Sequence, residues 1–219
     1  MNAELYVLPL VVRIERATPP ERTDALEAAA KAVLDLLADP GEWAAEVHAW
    51  EATGKIRKVV RRARGAEWRR AVALPGRTIE HRTAEVRVHP PVPLDGWPRD
   101  LARLQVKGTE LTDTAPPGPA EPPTLWENPA LEMSAGKAMA QAGHAAQLAW
   151  WASDEGERAA WREQGFPVTV RRAESAAAFE SMAAAGLPVV RDAGFTEIEP
   201  GSCTFVADAP WLAGRVARS

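Results

Sequence analysis

The stretch Met133-Ser-Ala-Gly-Lys-Ala-Met-Ala-Gln-Ala-Gly-His-Ala-Ala146 determines how the rest of the chain is organised. Its alanine content, with Ser134 as a fair N-cap, predicts a helix that runs to about Trp151. Three polar residues follow at spacings of i, i+4 and i+7 and therefore share one helix face. They are Lys137, Gln141 and His144.

The first turn of this helix carries two local penalties. A lysine there is unfavourable by about 0.3–1 kcal/mol, because the helix N-terminus is already partly positive. Gly136 beside Lys137 costs about 1 kcal/mol of helix propensity relative to alanine. Together they indicate a site that receives an anion or a polarised oxygen. The alternative is an ordinary amphipathic helix whose lysine extends into water.

A second stretch, Leu187-Pro-Val-Val-Arg-Asp-Ala-Gly-Phe-Thr-Glu-Ile-Glu-Pro-Gly-Ser-Cys-Thr204, completes a recognisable pattern. The two stretches together resemble the peptidyl-tRNA hydrolases of the second, non-classical type. That family carries a Gly-Lys-x-x-Ala-Gln-x-x-His-Ala helix and, downstream, an Asp-Ala-Gly-x-Thr-x-Ile-x-Pro-Gly-Ser/Thr-x-Thr segment. Here the motifs occupy residues 136–145 and 192–204, and the resemblance covers roughly residues 123–212.

The chain departs from this family at two places. The family usually has a second Gly-Lys pair just before the helix and an arginine after Asp-Ala-Gly. Ser134-Ala135 and Phe195 stand at those positions here. Both departures remove positive charge near the site.

The resemblance implies hydrolysis of the ester that joins a peptide to the tRNA 3′-terminal ribose. Such a reaction needs a water, a group that takes its proton and positive charge for the oxyanion. The implied catalytic residues are Lys137, Asp192, Thr196 and Thr204. The implied substrate-binding or orienting residues are Gly136, Gln141, His144, Gly194, Pro200, Gly201 and Ser202.

Several of these residues also have a purely structural interpretation. Asp192 could cap the following turn, and Thr204 could be a strand hydroxyl bonded to backbone. His144 could be an interior histidine with satisfied hydrogen bonds. Cys203, in mid-strand and without an evident base, is typical of a core residue and not of a nucleophile.

A basic segment occupies residues 55–70 and contains Trp68. If it is a tether for the tRNA backbone, the contacts come from Lys55, Arg57, Lys58, Arg61, Arg62, Arg64, Arg69 and Arg70, and Trp68 could stack on RNA bases. The alternative is a charged face that contacts only water.

The pattern of elements predicts an α/β protein. Residues 124–219 are expected to form a peptidyl-tRNA hydrolase-like domain in the order β-α-α-β-α-β-β, and the resemblance implies a small mixed sheet packed between helices. Residues 112–123, with five prolines, are expected to be a semi-rigid linker. Residues 1–111 form an N-terminal α/β region.

The N-terminal region repeats the element order of the C-terminal half, so we expect a degenerate copy of the same fold and a pseudo-dimer. Trp50 and Val60-Arg-Arg-Ala63 parallel Trp161 and Val170-Arg-Arg-Ala173. In this register the chemistry of the copy is lost: Thr23, Glu27 and Ala30 stand where Lys137, Gln141 and His144 stand, and Leu74 stands where Asp192 stands.

Composition is consistent with a protein of the reducing cytoplasm. The 219 residues include one cysteine, and no apolar run approaches the ~20 residues that span a bilayer. The four histidines show no metal-ligand spacing, and we expect neither metal nor cofactor. The expected partner is peptidyl-tRNA, and we expect no association with a membrane. The chain is expected to be a monomeric pseudo-dimer or to form a homodimer. The alternative function is a non-catalytic RNA-binding or regulatory module on the same fold.

Overall fold

The computed structural model describes residues 5–193 and 197–212, and both halves of the chain contain the order β-α-α-β-α-β-β, which the first half extends by a short strand and a short helix. The first half comprises β1 (Tyr6–Arg13), α1 (Arg22–Ala38), a 3-10 turn (Gly41–Trp43), α2 (Ala44–Ala52), β2 (Lys58–Ala63), α3 (Gly65–Val72), β3 (Arg77–His81), β4 (Ala84–Val88), β5 (Val92–Pro93) and α4 (Arg99–Ala102). The second half comprises β6 (Thr124–Glu127), α5 (Ala135–Ala152), α6 (Glu155–Glu163), β7 (Thr169–Arg172), α7 (Ala176–Ala184), β8 (Val189–Arg191) and β9 (Cys203–Asp208).

The two halves also share one sheet topology. The first sheet has the strand order β2-β1-β4-β3, with β5 paired to β1, and the second has the order β7-β6-β9-β8. In each of these strand orders the first pair is parallel and the other two are antiparallel, and the additional β1–β5 pair is also antiparallel. The predicted α/β fold is confirmed, and the repeated β-α-α-β-α-β-β order is consistent with a pseudo-dimer.

The strand register changes one equivalence between the halves. Counted through the two antiparallel ladders, Ile79 of β3 lies where Val190 of β8 lies. His81, two residues later, therefore lies where Asp192 lies, and the expectation of Leu74 at that position is wrong. The sequence comparison placed Leu74 at the position of Asp192, whereas the residues that follow Leu74 lead into strand β3.

The halves are joined by close packing of α1 against α5. A Cβ on Gly143 of α5 would lie 3.0 Å from Cγ2 of Val33 and 3.2 Å from Cδ of Lys58. One continuous apolar core includes buried side chains from both sheets and both long helices. Glycine and alanine in these helices therefore allow the two sheets to share a core.

The proline-rich linker is anchored to both halves and has neither helix nor strand. The Asp113 carboxylate accepts hydrogen bonds from N and Oγ1 of Thr23, at 2.8 and 2.7 Å. Arg171 of β7 donates to the carbonyl oxygens of Gly118 and Pro119, at 2.7 and 2.9 Å. These bonds fix the course of an otherwise irregular segment. None of the helices in the described residues is both long and apolar enough to cross a bilayer.

Candidate active site

Helix α5 begins at a side-chain cap. Oγ of Ser134 accepts a hydrogen bond from the backbone N–H of Lys137 at 3.2 Å, which satisfies one of the unpaired donors of the first turn. The Glu197 carboxylate in turn accepts from N and Oγ of Ser134, at 2.9 and 2.8 Å. The loop after β8 is thereby tied to the start of the helix, and it brings a negative charge to that end.

The side chains of Lys137 and Asp192 form an ion pair between this helix and the end of β8. Nζ of Lys137 lies 2.6 Å from Oδ1 of Asp192, and Nε2 of Gln141 donates to the same oxygen at 2.8 Å. The side chains of Lys137 and Asp192 retain only 13% and 9% of their exposure. Because this short, charge-assisted interaction is largely withdrawn from water, it holds the carboxylate in one orientation.

Thr204 of β9 extends this network. Its Oγ1 donates to Oε1 of Gln141 at 2.8 Å, and it lies 3.4 Å from the carbonyl oxygen of Val190. Thr204 is fully buried. Since Oε1 of Gln141 is occupied by this bond, the amide N–H₂ is the group that faces Asp192.

The loop between β8 and β9 is folded back on Asp192. The backbone N–H of Asp192 donates to Ser202 O at 2.9 Å, and Gly201 N–H donates to Asp192 O at 2.7 Å. Gly201 has φ +83°, a conformation that favours glycine. Oγ of Ser202 donates to Glu199 O at 2.7 Å, so this hydroxyl supports the loop.

Of three other predicted loop residues, the structure describes one. Pro200 lies in the exposed turn before Gly201. Gly194 and Thr196 fall outside the described residues, and their expected roles stay predictions.

Gly136 has a packing role in addition to any role toward substrate. A Cβ at this position would lie 3.2 Å from Cβ of Thr109, a buried residue of the segment that precedes the linker. The N-terminal half therefore reaches the first turn of α5, one residue from Lys137.

Comparison with known protein families relates the C-terminal half of the chain to one of them. The sequence model of the family described as Peptidyl-tRNA hydrolase PTH2 matches the chain. Residues 127–218 carry the match. The resemblance predicted from the two sequence stretches is confirmed. No curated protein matches the chain significantly.

His144, which lies in the region that matches this family, points toward the other half of the molecule. Its Nδ1 lies 3.2 Å from Nζ of Lys58, and Lys58 also donates to Gln147 Oε1 at 2.6 Å. Removal from water, followed by the charges of Lys58 and Lys137, holds the pKa of His144 well below its usual value. These interactions support the interior interpretation of His144, because they place it in the interface between the halves.

Lys58 is the most deeply buried of the eight basic residues in the segment. Burial lowers the pKa of its amine well below the usual value. Nζ also lies 4.9 Å from the ring centre of Trp50, and it is otherwise bonded to acceptor atoms. This lysine therefore joins the halves and does not face a tRNA backbone.

The other seven basic residues divide by exposure. Arg61 donates to Leu104 O at 2.6 Å and lies over the ring of Trp97. Arg62 bonds to Gln105, and Arg57 is half-buried. The exposed members are Lys55, Arg64, Arg69 and Arg70.

Trp68 is not available for stacking on RNA. Only 6% of it is exposed, and it packs with Leu101 and Leu104 in a small core. The prediction that this ring stacks on bases is wrong. The indole instead fixes α3, an element that the basic composition of the segment concealed.

The N-terminal half has a different set of groups at the equivalent site. Oε2 of Glu27 lies 2.7 Å from Nε2 of His81, and Oε1 accepts from Arg171 Nη1 at 2.9 Å. Burial alone would raise the pKa of Glu27, but the bonds from His81, Val170 and Arg171 outweigh it and the pKa is lowered. Glu27 therefore remains ionised and links α1 to β7.

Asp24, Glu27 and His81 also have potential metal-ligating atoms within 4.8 Å of one another, the one such group found among the described residues. Nη1 of Arg82 lies 3.3 Å from Asp24 Oδ1 and 3.2 Å from Glu27 Oε2. This guanidinium already supplies the positive charge that a cation would bring. The histidine spacing gave no signal of the group, because its other members are carboxylates.

The C-terminal network is suited to acid–base work on a bound water. Asp192 offers a carboxylate whose orientation is fixed, and Lys137 offers an ammonium at the start of a helix.

Cys203 Sγ accepts a hydrogen bond from Arg191 at 3.0 Å and packs in a small core. That placement agrees with the core interpretation of Cys203.

Proposed function

We propose that the protein hydrolyses the ester bond between a peptide and the 3′-terminal ribose of tRNA. The observation that carries the proposal is the bond of Lys137 and Gln141 to one oxygen of Asp192, inside the region that matches the peptidyl-tRNA hydrolase family. Residues 127–218 alone carry that match, so we assign catalysis to the C-terminal half.

Asp192 is proposed to orient the attacking water and to take its proton. As the water oxygen bonds to the ester carbonyl carbon, one of its protons passes to the carboxylate. The bond between the acyl carbon and the ribose oxygen then breaks, and the proton held by Asp192 passes to the ribose oxygen, which restores the carboxylate. Peptide acid and free tRNA are the products, so atoms balance without a cofactor.

Lys137 is proposed to stabilise the oxyanion that forms on the carbonyl oxygen. Its ammonium lies at the N-terminal end of α5, where the helix dipole adds partial positive charge. The low exposure of the pair strengthens this effect, because little water screens it.

Gln141 and Thr204 are proposed to act as positioning residues. The buried hydroxyl of Thr204 sets the amide orientation of Gln141, and the amide sets the carboxylate of Asp192. The family pattern adds Thr196 to the substrate contacts.

The N-terminal half is proposed to support the site and to help hold tRNA. Thr109 packs on Gly136, and Lys58 fixes the middle of α5 through His144 and Gln147. Phosphate binding is assigned to the four exposed basic residues named above. Because peptidyl-tRNA arises during translation, we propose the cytoplasm as the location.

The test is the release of tRNA from N-acetyl-aminoacyl-tRNA by the full chain, followed on acid gels. We expect turnover of the blocked ester, whose amine is neutral like that of a peptide. A protein that binds this tRNA with no release over the spontaneous rate would instead be the non-catalytic RNA-binding module.

A further inference from the structure

A cleft of about 350 Å³ lies between the two halves, at the start of α1 and the ends of β6 and β7. This volume is within the range of small-ligand sites. Its apolar lining residues come from the linker segment, the loop before α5 and β7, and they are Leu111, Pro117, Leu131, Met133 and Val170.

Four of the five charged groups of the cleft are paired with one another, and the fifth, Asp113, accepts hydrogen bonds from Thr23. Arg22 donates two hydrogen bonds to the Glu127 carboxylate, at 2.9 and 2.7 Å. Arg172 donates to Glu132 and to the carbonyl oxygen of Pro129, at 3.1 and 2.8 Å. The walls therefore carry one more carboxylate than guanidinium group, and this excess negative charge would repel a phosphate.

Two chain segments connect this cleft to the candidate active site. Leu111 follows two residues after Thr109, which packs on Gly136. Met133 immediately precedes Ser134, the N-cap of the helix that carries Lys137. Because two residues of extended chain span at most about 7 Å, both walls run directly into the first turn of α5.

We propose that this cleft binds the peptide moiety of peptidyl-tRNA, on the side of the ester away from the tRNA. The inference rests on the proposed function. A partly apolar groove whose charged groups are already bonded matches the uncharged backbone and apolar side chains of a peptide, and its excess of carboxylates does not match the phosphates of the other arm. The cleft gives longer, apolar peptides an affinity that a single blocked amino acid lacks.

The experiment compares two substrates on one tRNA with the same esterified amino acid. One is N-acetyl-aminoacyl-tRNA, and the other is an N-acetyl-tetrapeptidyl-tRNA with leucine at the upstream positions. The variants are Leu131→Gln, which makes the wall polar, and Pro117→Trp, which fills the cleft from the exposed linker. Pro116→Trp, in the same exposed stretch but outside the lining, is the matched control.

We expect KM for the tetrapeptidyl substrate to rise about fivefold or more in both variants, as befits the loss of apolar burial. KM for the short substrate and kcat for both should stay within about twofold of the wild type, as should every constant of Pro116→Trp.

Equal losses on both substrates, or no change on either, would overturn the peptide assignment while leaving the hydrolase intact. A wild type that releases tRNA from neither substrate would overturn the hydrolase proposal itself, and this inference with it.

Discussion

Glu27 on α1 and Gln141 on α5 occupy equivalent helix positions, and each bonds the residue at the equivalent strand end. Glu27 Oε2 lies 2.7 Å from His81 Nε2, and Gln141 Nε2 lies 2.8 Å from Asp192 Oδ1. The first half thus has the same helix-to-strand bond as the candidate site, but it is made by a glutamate and a histidine. Glu27 also links the two halves.

Glu27→Gln should destabilise the protein strongly. The carboxylate is fully buried and pairs with Arg171 and Arg82, so its neutralisation leaves a buried guanidinium without its charge partner. We expect a loss of about 3–5 kcal/mol in the free energy of unfolding, measured in urea. Asp39→Asn, which breaks the exposed pair with Arg162, is the control and should cost less than about 1 kcal/mol. Similar losses in the free energy of unfolding of both variants would show that the buried ion pairs of Glu27 stabilise the protein no more than an exposed pair does.

Thr204→Val should lower kcat by about tenfold or more, because the amide of Gln141 loses the bond that fixes its orientation. Thr204→Ser retains the hydroxyl and should recover most of the rate. The measurement is single-turnover hydrolysis of N-acetyl-aminoacyl-tRNA with unfolding curves of both variants. If Thr204→Val and Thr204→Ser change kcat equally, the Thr204 hydroxyl has no positioning role.

His89 should make stability depend on acid pH. Burial, with a smaller effect of the Arg87 charge, lowers its pKa to about 4. The unfolded chain takes up a proton near pH 6.5 while the folded chain does not, so stability present above pH 6.5 is lost as the pH falls toward 4. We expect the wild type to lose about 3 kcal/mol more than His89→Asn over this interval. Parallel pH profiles of the two proteins would contradict this assignment.

The exposed part of the basic segment should determine the salt dependence of tRNA binding. Replacing Lys55, Arg64, Arg69 and Arg70 together by glutamine should flatten the fall of affinity with salt. The log–log slope should decrease by about 0.7–0.9 for each phosphate that these side chains no longer neutralise. Arg61→Gln is the control, because that side chain is engaged by backbone carbonyls. An unchanged slope would leave the segment as a solvated face.

The sequence predicted the elements of the C-terminal half because these depend on local signals, and its two motifs indicated Lys137 and Asp192, which the structure brings together. Ser134, the alanine run and the two motifs are enough to define α5 and its partners. Sequence reasoning failed at His81, since register in an antiparallel ladder depends on strands far apart in the chain. It also missed that Lys58 and Trp68 are interior, because a basic composition does not reveal which side chains face a core.

The most direct test of the central claim is the rate of tRNA release from N-acetyl-aminoacyl-tRNA by the wild type, Lys137→Ala and Asp192→Ala. Asp39→Ala, at an exposed ion pair, is the control variant. We predict turnover by the wild type and the control, with a loss of about a hundredfold or more in each of the other two, a scale normal for removal of an electrostatic or acid–base group. Turnover that survives both substitutions would show that catalysis does not depend on the Lys137–Asp192 pair.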